Sequence, residues 1–175
     1  EILGSRVSFP VSASVLLQET LAEYRRLFST EVEEVPGARA AVQALAKEFR
    51  LGLVSGSYRS EILAALDLLG IRDHFEVILG AEDYQRSKPA PDGYQLALNH
   101  LALDPSAAVI FEDSEAGIES GLVCGARVIS VSYCGSIQAS SPWFSRTHGA
   151  IHDWTGVTAE WIRRLQAKPL SFQKA

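Results

Sequence analysis

The sequence predicts an α/β fold: a Rossmann-like parallel sheet with helices on both faces. Two observations carry this. From about Pro36 onward, short apolar strand-like runs alternate with amphipathic helical stretches through short connections, the pattern of strands that must be parallel and covered on both sides. The run Ala107-Ala108-Val109-Ile110-Phe111 is continuously apolar and ends in Glu112-Asp113-Ser114, as expected of a strand buried on both faces.

The elements follow in order. From Ser14 to Phe28, Leu17, Leu21, Tyr24 and Phe28 recur at helical spacing and predict one amphipathic helix. Residues 29–35 are an acidic connector, which places a boundary between a 1–33 segment and a 34–175 core. Pro36-Gly37 opens a second helix with an apolar stripe through Ala38, Ala41, Val42, Leu45, Ala46 and Phe49, proline suiting a first turn. Leu51 to Val54 reads as a strand that runs into Ser55-Gly56-Ser57. A helix begins near Ser60, buries Ile62, Leu63, Leu66 and Leu69, and stops at Gly70. Phe75 to Leu79 is a strand, 81–91 a loop containing Lys88, and 92–102 a helix. After the strand 107–111, Ser114 caps a helix that runs to Gly125. Val128 to Val131 is a further strand, 132–147 a loop, Ala150-Ile151 a short edge strand, and Thr158 to Ala167 a helix carrying Trp161, Ile162 and Leu165.

Composition bounds the function. The 175 residues are 47% hydrophobic and 21% charged, enough for one domain, or one plus an appendage, with a real core. The formal net charge of −5 and the lack of a basic cluster argue against nucleic acid or an anionic membrane as partner. No apolar run has bilayer-spanning length and no signal peptide opens the sequence. Cys124 and Cys134 have neither metal-ligand nor redox-motif spacing and are expected as reduced thiols of a cytoplasmic protein. Oligomeric state is not legible. His74, His100, His148 and His152 share no metal spacing, and Trp143, Trp154 and Trp161 suit packing or a partner surface.

Sites in open α/β sheets form beyond the carboxyl ends of the strands, and three polar signals lie there. Ser55-Gly56-Ser57 offers a hydroxyl and exposed backbone N–H groups, and Lys88 a cation; both suit a phosphate. Glu112-Asp113 suits a divalent cation with oxygen ligands. Two carboxylates ~5 Å apart at an effective dielectric of ~20 repel by roughly 3 kcal/mol, a cost that a bound cation removes. Each signal has an ordinary alternative in a turn or a solvated charge; the three together, each just past a strand, form a coherent set. Arg59 lies near this set, where a solvated helix-entry arginine is an equal reading.

These residues resemble the haloacid dehalogenase-like hydrolase superfamily, the capped branch with phosphoglycolate phosphatases and β-phosphoglucomutases. The resemblance is carried by Val35-Pro36-Gly37, by 53–57 (Leu-Val-Ser-Gly-Ser), by 87–92 (Ser-Lys-Pro-Ala-Pro-Asp), and by 109–119, from Val109 through Glu112-Asp113 to Glu119. It implies that Ser55 binds the transferring phosphoryl group, with Gly56 and Ser57 adding contacts. It further implies that Lys88 stabilises that charge and that Glu112 and Asp113 hold Mg²⁺. The implied reaction is hydrolysis of a small phosphorylated metabolite through an aspartyl-phosphate. The family's nucleophile motif, Asp-x-Asp-Gly-Thr, is absent from the sequence: Asp67, Asp73, Asp83, Asp92, Asp104, Asp113 and Asp153 all lie in other contexts. The helix 14–28 then corresponds to the last cap helix, and 34–175 to a core without its first strand. The sequence is therefore expected to be part of a longer protein; a non-catalytic binding or regulatory relative is the other reading. Loss of a central strand leaves two open sheet edges, which argues against an autonomous module. Within the family, a phosphosugar mutase is the alternative to a phosphatase. Adjacent Glu112 and Asp113 disfavour a metal-free dehalogenase, and 1–33 holds no lysine for phosphonatase chemistry.

Overall fold

A computed structural model describes residues 12–31, 33–133 and 141–167. The chain divides into two compact units, Glu1–Glu33 and Glu34–Ala175. The first contains helix α1, Ala13–Glu31. Its predicted apolar stripe, Leu17, Leu21, Tyr24 and Phe28, lies outside the described side chains. The same holds for the backbone of Cys134 and of the first part of the 136–148 loop.

The second unit carries the alternating elements: α2 (Ala38–Leu45), β1 (Gly52–Val54), α3 (Arg59–Leu69), β2 (Val77–Leu79), α4 (Asp92–His100), β3 (Val109–Glu112), α5 (Glu115–Cys124), β4 (Arg127–Val131), β5 (Gly149–Ile151) and α6 (Ala159–Gln166). Every strand pair is parallel. Among the described residues, however, the strands form two ladders, β1-β2 and β3-β4-β5, rather than one sheet. β1 and β3 therefore each pair on one side.

Local chemistry sets the boundaries. Ser114 and Thr158 cap α5 and α6 by accepting from the backbone N–H of Gly117 at 3.1 Å and Trp161 at 3.2 Å, each cap worth about 1 kcal/mol. Gly70 ends α3 at φ 65°, a left-handed conformation that glycine adopts without a Cβ penalty. Two expected boundaries shift. Residues 105–107 turn as a 3-10 helix because the Asp104 side chain accepts from the Ser106 N–H, so β3 starts at Val109. Helix α4 stops at His100; Ala102 turns to φ 49° and Leu103 N–H closes on the Leu98 carbonyl at 3.0 Å.

Helices cover both faces of the larger ladder. On one face Tyr94 and Leu98 of α4 and Ile118 and Cys124 of α5 pack with Ile110, Ala126 and Val128. On the other, Ala41, Leu45, Val157 and Ile162 pack with Val109, Phe111, Trp154 and Trp161. The Phe111 ring centroid lies 4.7 Å from that of Trp154 and 6.3 Å from that of Trp161, so these two tryptophans are core. A third cluster, Ile62, Leu66, Ile71 and Ile78, joins α3 to the smaller ladder. Complete burial of Ile118, Val128 and Ile129 contributes roughly 1.5–3 kcal/mol per side chain. The period-2 alternation along β3 sends Val109 and Phe111 to one face and Ile110 and Glu112 to the other, which points the Glu112 carboxylate at α4 and α5.

Candidate active site

The site collects where β1 and β3 end. At β1, the Ser55 N–H donates to the Leu79 carbonyl at 3.0 Å, continuing the ladder one residue past the strand. The chain then turns: the Ser57 N–H donates to Ser55 Oγ at 3.1 Å, and the Ala81 N–H to the Ser57 carbonyl at 2.9 Å. A Cβ placed on Gly56 would meet nothing within 4 Å, so open space adjoins its backbone. The Ser55 carbonyl accepts from the Tyr84 hydroxyl at 2.8 Å.

Lys88 bridges the two ladders. Its Nζ donates to the Val54 carbonyl at 3.1 Å and to Glu112 Oε1, and lies 4.8 Å from the centre of the Tyr94 ring. Lys88 and Glu112 are a desolvated ion pair, their side chains 18% and 6% exposed. Such a pair persists only when the buried carboxylate's remaining hydrogen-bonding capacity is met, and on the Glu112 side it is. Glu112 Oε1 also accepts from the buried Tyr94 hydroxyl, and Oε2 accepts from Ser114 Oγ at 3.2 Å. Gly117 makes room for the carboxylate: a Cβ there would overlap the Glu112 carboxyl group.

The two phenols stay protonated donors. Burial, reinforced by the facing Glu112 carboxylate, holds Tyr94 well above its ordinary pKa. Burial, with Asp83, Glu112 and Glu82 nearby, raises Tyr84.

Of the sequence-predicted residues, Ser55, Lys88 and Glu112 converge through backbone and side-chain contacts, with Gly56 and Ser57 in the same turn. Asp113 directly follows Glu112 and is exposed. Arg59 is engaged away from the turn: its guanidinium donates to the Ile78 carbonyl and reaches Asp83 at 3.5 Å, while its N–H donates to Glu82 at 3.0 Å. Tyr84 and Tyr94 have no place in the sequence reading, while Ser114 and Gly117 enter it as part of the 109–119 run, Ser114 also as a helix cap. Tyr94 falls at helical spacing with Ala97 and Leu98 and so looks like core, yet a buried tyrosine hydroxyl needs a partner; that need was the available signal.

The two adjacent carboxylates differ as oxygen ligands for a cation. Glu112 Oε1 already accepts two hydrogen bonds and Oε2 one. Asp113 offers an exposed hard-oxygen donor at the strand end. Among the described residues no group of three His, Cys, Asp or Glu side chains is placed to hold a metal. This donor set fits a cation such as Mg²⁺, which binds through one or two carboxylates and completes its shell with water and substrate phosphate.

Several known proteins are similar. A pyrophosphatase PpaX from Bacillus pumilus is 36% identical over 111 residues, 63% of this chain and 50% of that protein. Protein CbbY from Rhodobacter capsulatus is 34% identical over 133 residues, 74% of this chain and 59% of that protein. Hexitol phosphatase A from Escherichia coli is 29% identical over 143 residues, 78% of this chain and 64% of that protein. The chain thus spans between half and two thirds of the length of these relatives. In fold it is similar to CbbY from Rhodobacter sphaeroides, solved in complex with phosphate, at a TM-score of 0.71 and 23% identity, over 85% of this chain and 67% of that one. Residues 6–131 match the family described as haloacid dehalogenase-like hydrolase, and with its parallel strands and the Ser55, Lys88 and Glu112 constellation at their carboxyl ends the chain belongs to that family.

Proposed function

We propose that the complete protein is a Mg²⁺-dependent phosphatase of a small phosphorylated metabolite, acting through an aspartyl-phosphate on a residue outside this sequence. The observation that carries the reading is the Lys88 bridge: one half-buried ammonium held between the end of β1 and the end of β3. An ammonium has three N–H donors; Val54 and Glu112 take two, and the third is available to a phosphoryl oxygen. The similar proteins named as phosphatases support a phosphorylated substrate.

In this reading the Ser55 hydroxyl and the Gly56 N–H bind the phosphoryl oxygens, Ser57 orders the turn, and Lys88 neutralises charge that develops in transfer. Fixed donors of this kind act without reorganisation, which is where phosphoryl transfer obtains most of its acceleration. Glu112 anchors Lys88, and Asp113 holds Mg²⁺, with Glu112 Oε2 as the only second donor from the pair. The bound cation supplies charge neutralisation on the phosphate. The nucleophilic aspartate belongs on a strand seated between β1 and β3, where each has an open edge. The α1 segment is read as the end of a cap, and substrate choice is assigned to cap residues.

The test is Lys88→Met in the complete protein, assayed for phosphate release from small phosphomonoesters. Turnover is expected to fall at least about 10³-fold, beyond the roughly 10²–10³ cost of one stabilising donor. The Lys88→Met change also leaves Glu112 buried without its cation, so stability drops too. Adding Glu112→Gln is expected to restore stability without restoring turnover. Wild-type turnover in Lys88→Met would contradict the proposal.

A further inference from the structure

Tyr84 reaches the phosphate turn from the 81–91 loop, the same loop that carries Lys88. Its hydroxyl donates to the Ser55 carbonyl at 2.8 Å, and its ring edge packs on Gly93, where a Cβ would come within 3.1 Å of Tyr84 Cε1 and 2.8 Å of Val54 Cγ1. The glycine is therefore the floor on which the phenol rests. The carbonyl it holds belongs to the Ser55–Gly56 peptide. A peptide is planar and trans, so its N–H points opposite to its C=O. Pinning the Ser55 oxygen toward Tyr84 therefore turns the Gly56 N–H to the opposite side. Gly56 has no side chain to fix that plane, and a Cβ on it would meet nothing within 4 Å. Its neighbours are already committed: Ser55 N–H to Leu79 and Ser57 N–H to Ser55 Oγ.

The geometry points to Tyr84 as a positioning residue that orients the Gly56 N–H toward a bound phosphoryl group by holding the Ser55 carbonyl from behind. This rests on the phosphate-site reading of the turn above and adds to it a residue that touches no substrate. Burial and the surrounding carboxylates keep the phenol protonated, so the donor persists through the neutral range.

The test is ¹⁵N relaxation at Gly56 combined with titration of inorganic phosphate in the presence of Mg²⁺, on the full chain and on Tyr84→Phe, which keeps the ring and removes the donor. In the wild type, the Gly56 order parameter is expected near that of rigid backbone, about 0.85, and in Tyr84→Phe it is expected to fall toward about 0.6. Phosphate is expected to shift the wild-type Gly56 resonance, with a dissociation constant about fivefold weaker in Tyr84→Phe, the equivalent of one net hydrogen bond. Phosphate binding that is equally tight in both proteins overturns the role of Tyr84 and leaves the phosphate site standing. No response of Ser55, Gly56 or Lys88 to phosphate in the wild type overturns the site and the Tyr84 role together. A wild-type Gly56 order parameter below about 0.6 also overturns the role, and that measurement decides the matter should Tyr84→Phe fail to fold.

Discussion

Gly117→Ala isolates the packing that holds the Glu112–Lys88 pair. In most helices this exchange is favourable by roughly 1 kcal/mol, because alanine loses less backbone entropy. Here the new methyl group would overlap the Glu112 carboxyl group, and β3 and α5 are both held by buried core. The carboxylate must leave, giving up Lys88, Tyr94 and Ser114. Breaking a buried ion pair costs about 3–5 kcal/mol, so the net loss is roughly 2–4 kcal/mol after the propensity gain. At about 2–4 °C per kcal/mol for a chain of this size, Tm falls by about 5–15 °C. Urea unfolding followed by circular dichroism measures the loss directly. The decisive comparison is a double-mutant cycle with Glu112→Ala: without the carboxylate the methyl has room, and Gly117→Ala becomes neutral or slightly stabilising. An unchanged urea midpoint for the single variant, or an equal loss in both backgrounds, would refute the reasoning.

Two other perturbations follow from the fold. Gly37 sits at φ 79°, and a Cβ on it would lie 2.8 Å from the Thr155 nitrogen; Gly37→Ala is expected to cost about 1–2 kcal/mol from the left-handed backbone alone, and a midpoint equal to wild type would contradict that. His148 is held below its ordinary pKa by burial and by Arg127, partly opposed by the Val128 backbone. The unfolded chain therefore takes up this proton first as pH falls, so the His148 contribution to stability is constant above about pH 6.5 and declines below it until the folded imidazole also protonates. Urea midpoints of His148→Gln are expected to decline less than wild type from pH 7 to pH 5.5; parallel profiles would count against it.

Much of the fold is legible in the sequence because its signals are local. Apolar runs, helix stripes and caps mark the alternation from α2 to α6, and the three polar signals sit just past strand ends. The errors are local competitions: Asp104 accepting from Ser106 turns a stretch that reads as the start of a strand. What the sequence does not show is tertiary pairing. Spacing brings Lys88 and Glu112 to one edge, but it cannot tell that the carboxylate is spent on Lys88, Tyr94 and Ser114. The gap between β1 and β3 follows from the expected loss of a central strand, but not the lysine that spans it. Tyr84 is least legible, lying in a polar loop with nothing periodic to mark its contact with the Ser55 carbonyl.

The most direct measurement is the Mg²⁺ dependence of phosphate release by the complete protein, wild type beside Asp113→Ala. The wild type is expected to turn over a small phosphomonoester only with Mg²⁺ present, saturably. Asp113→Ala is expected to lose both the turnover and its response to the ion. Mg²⁺-stimulated hydrolysis persisting in Asp113→Ala would contradict the assignment of these strand ends as a metal-assisted phosphate site.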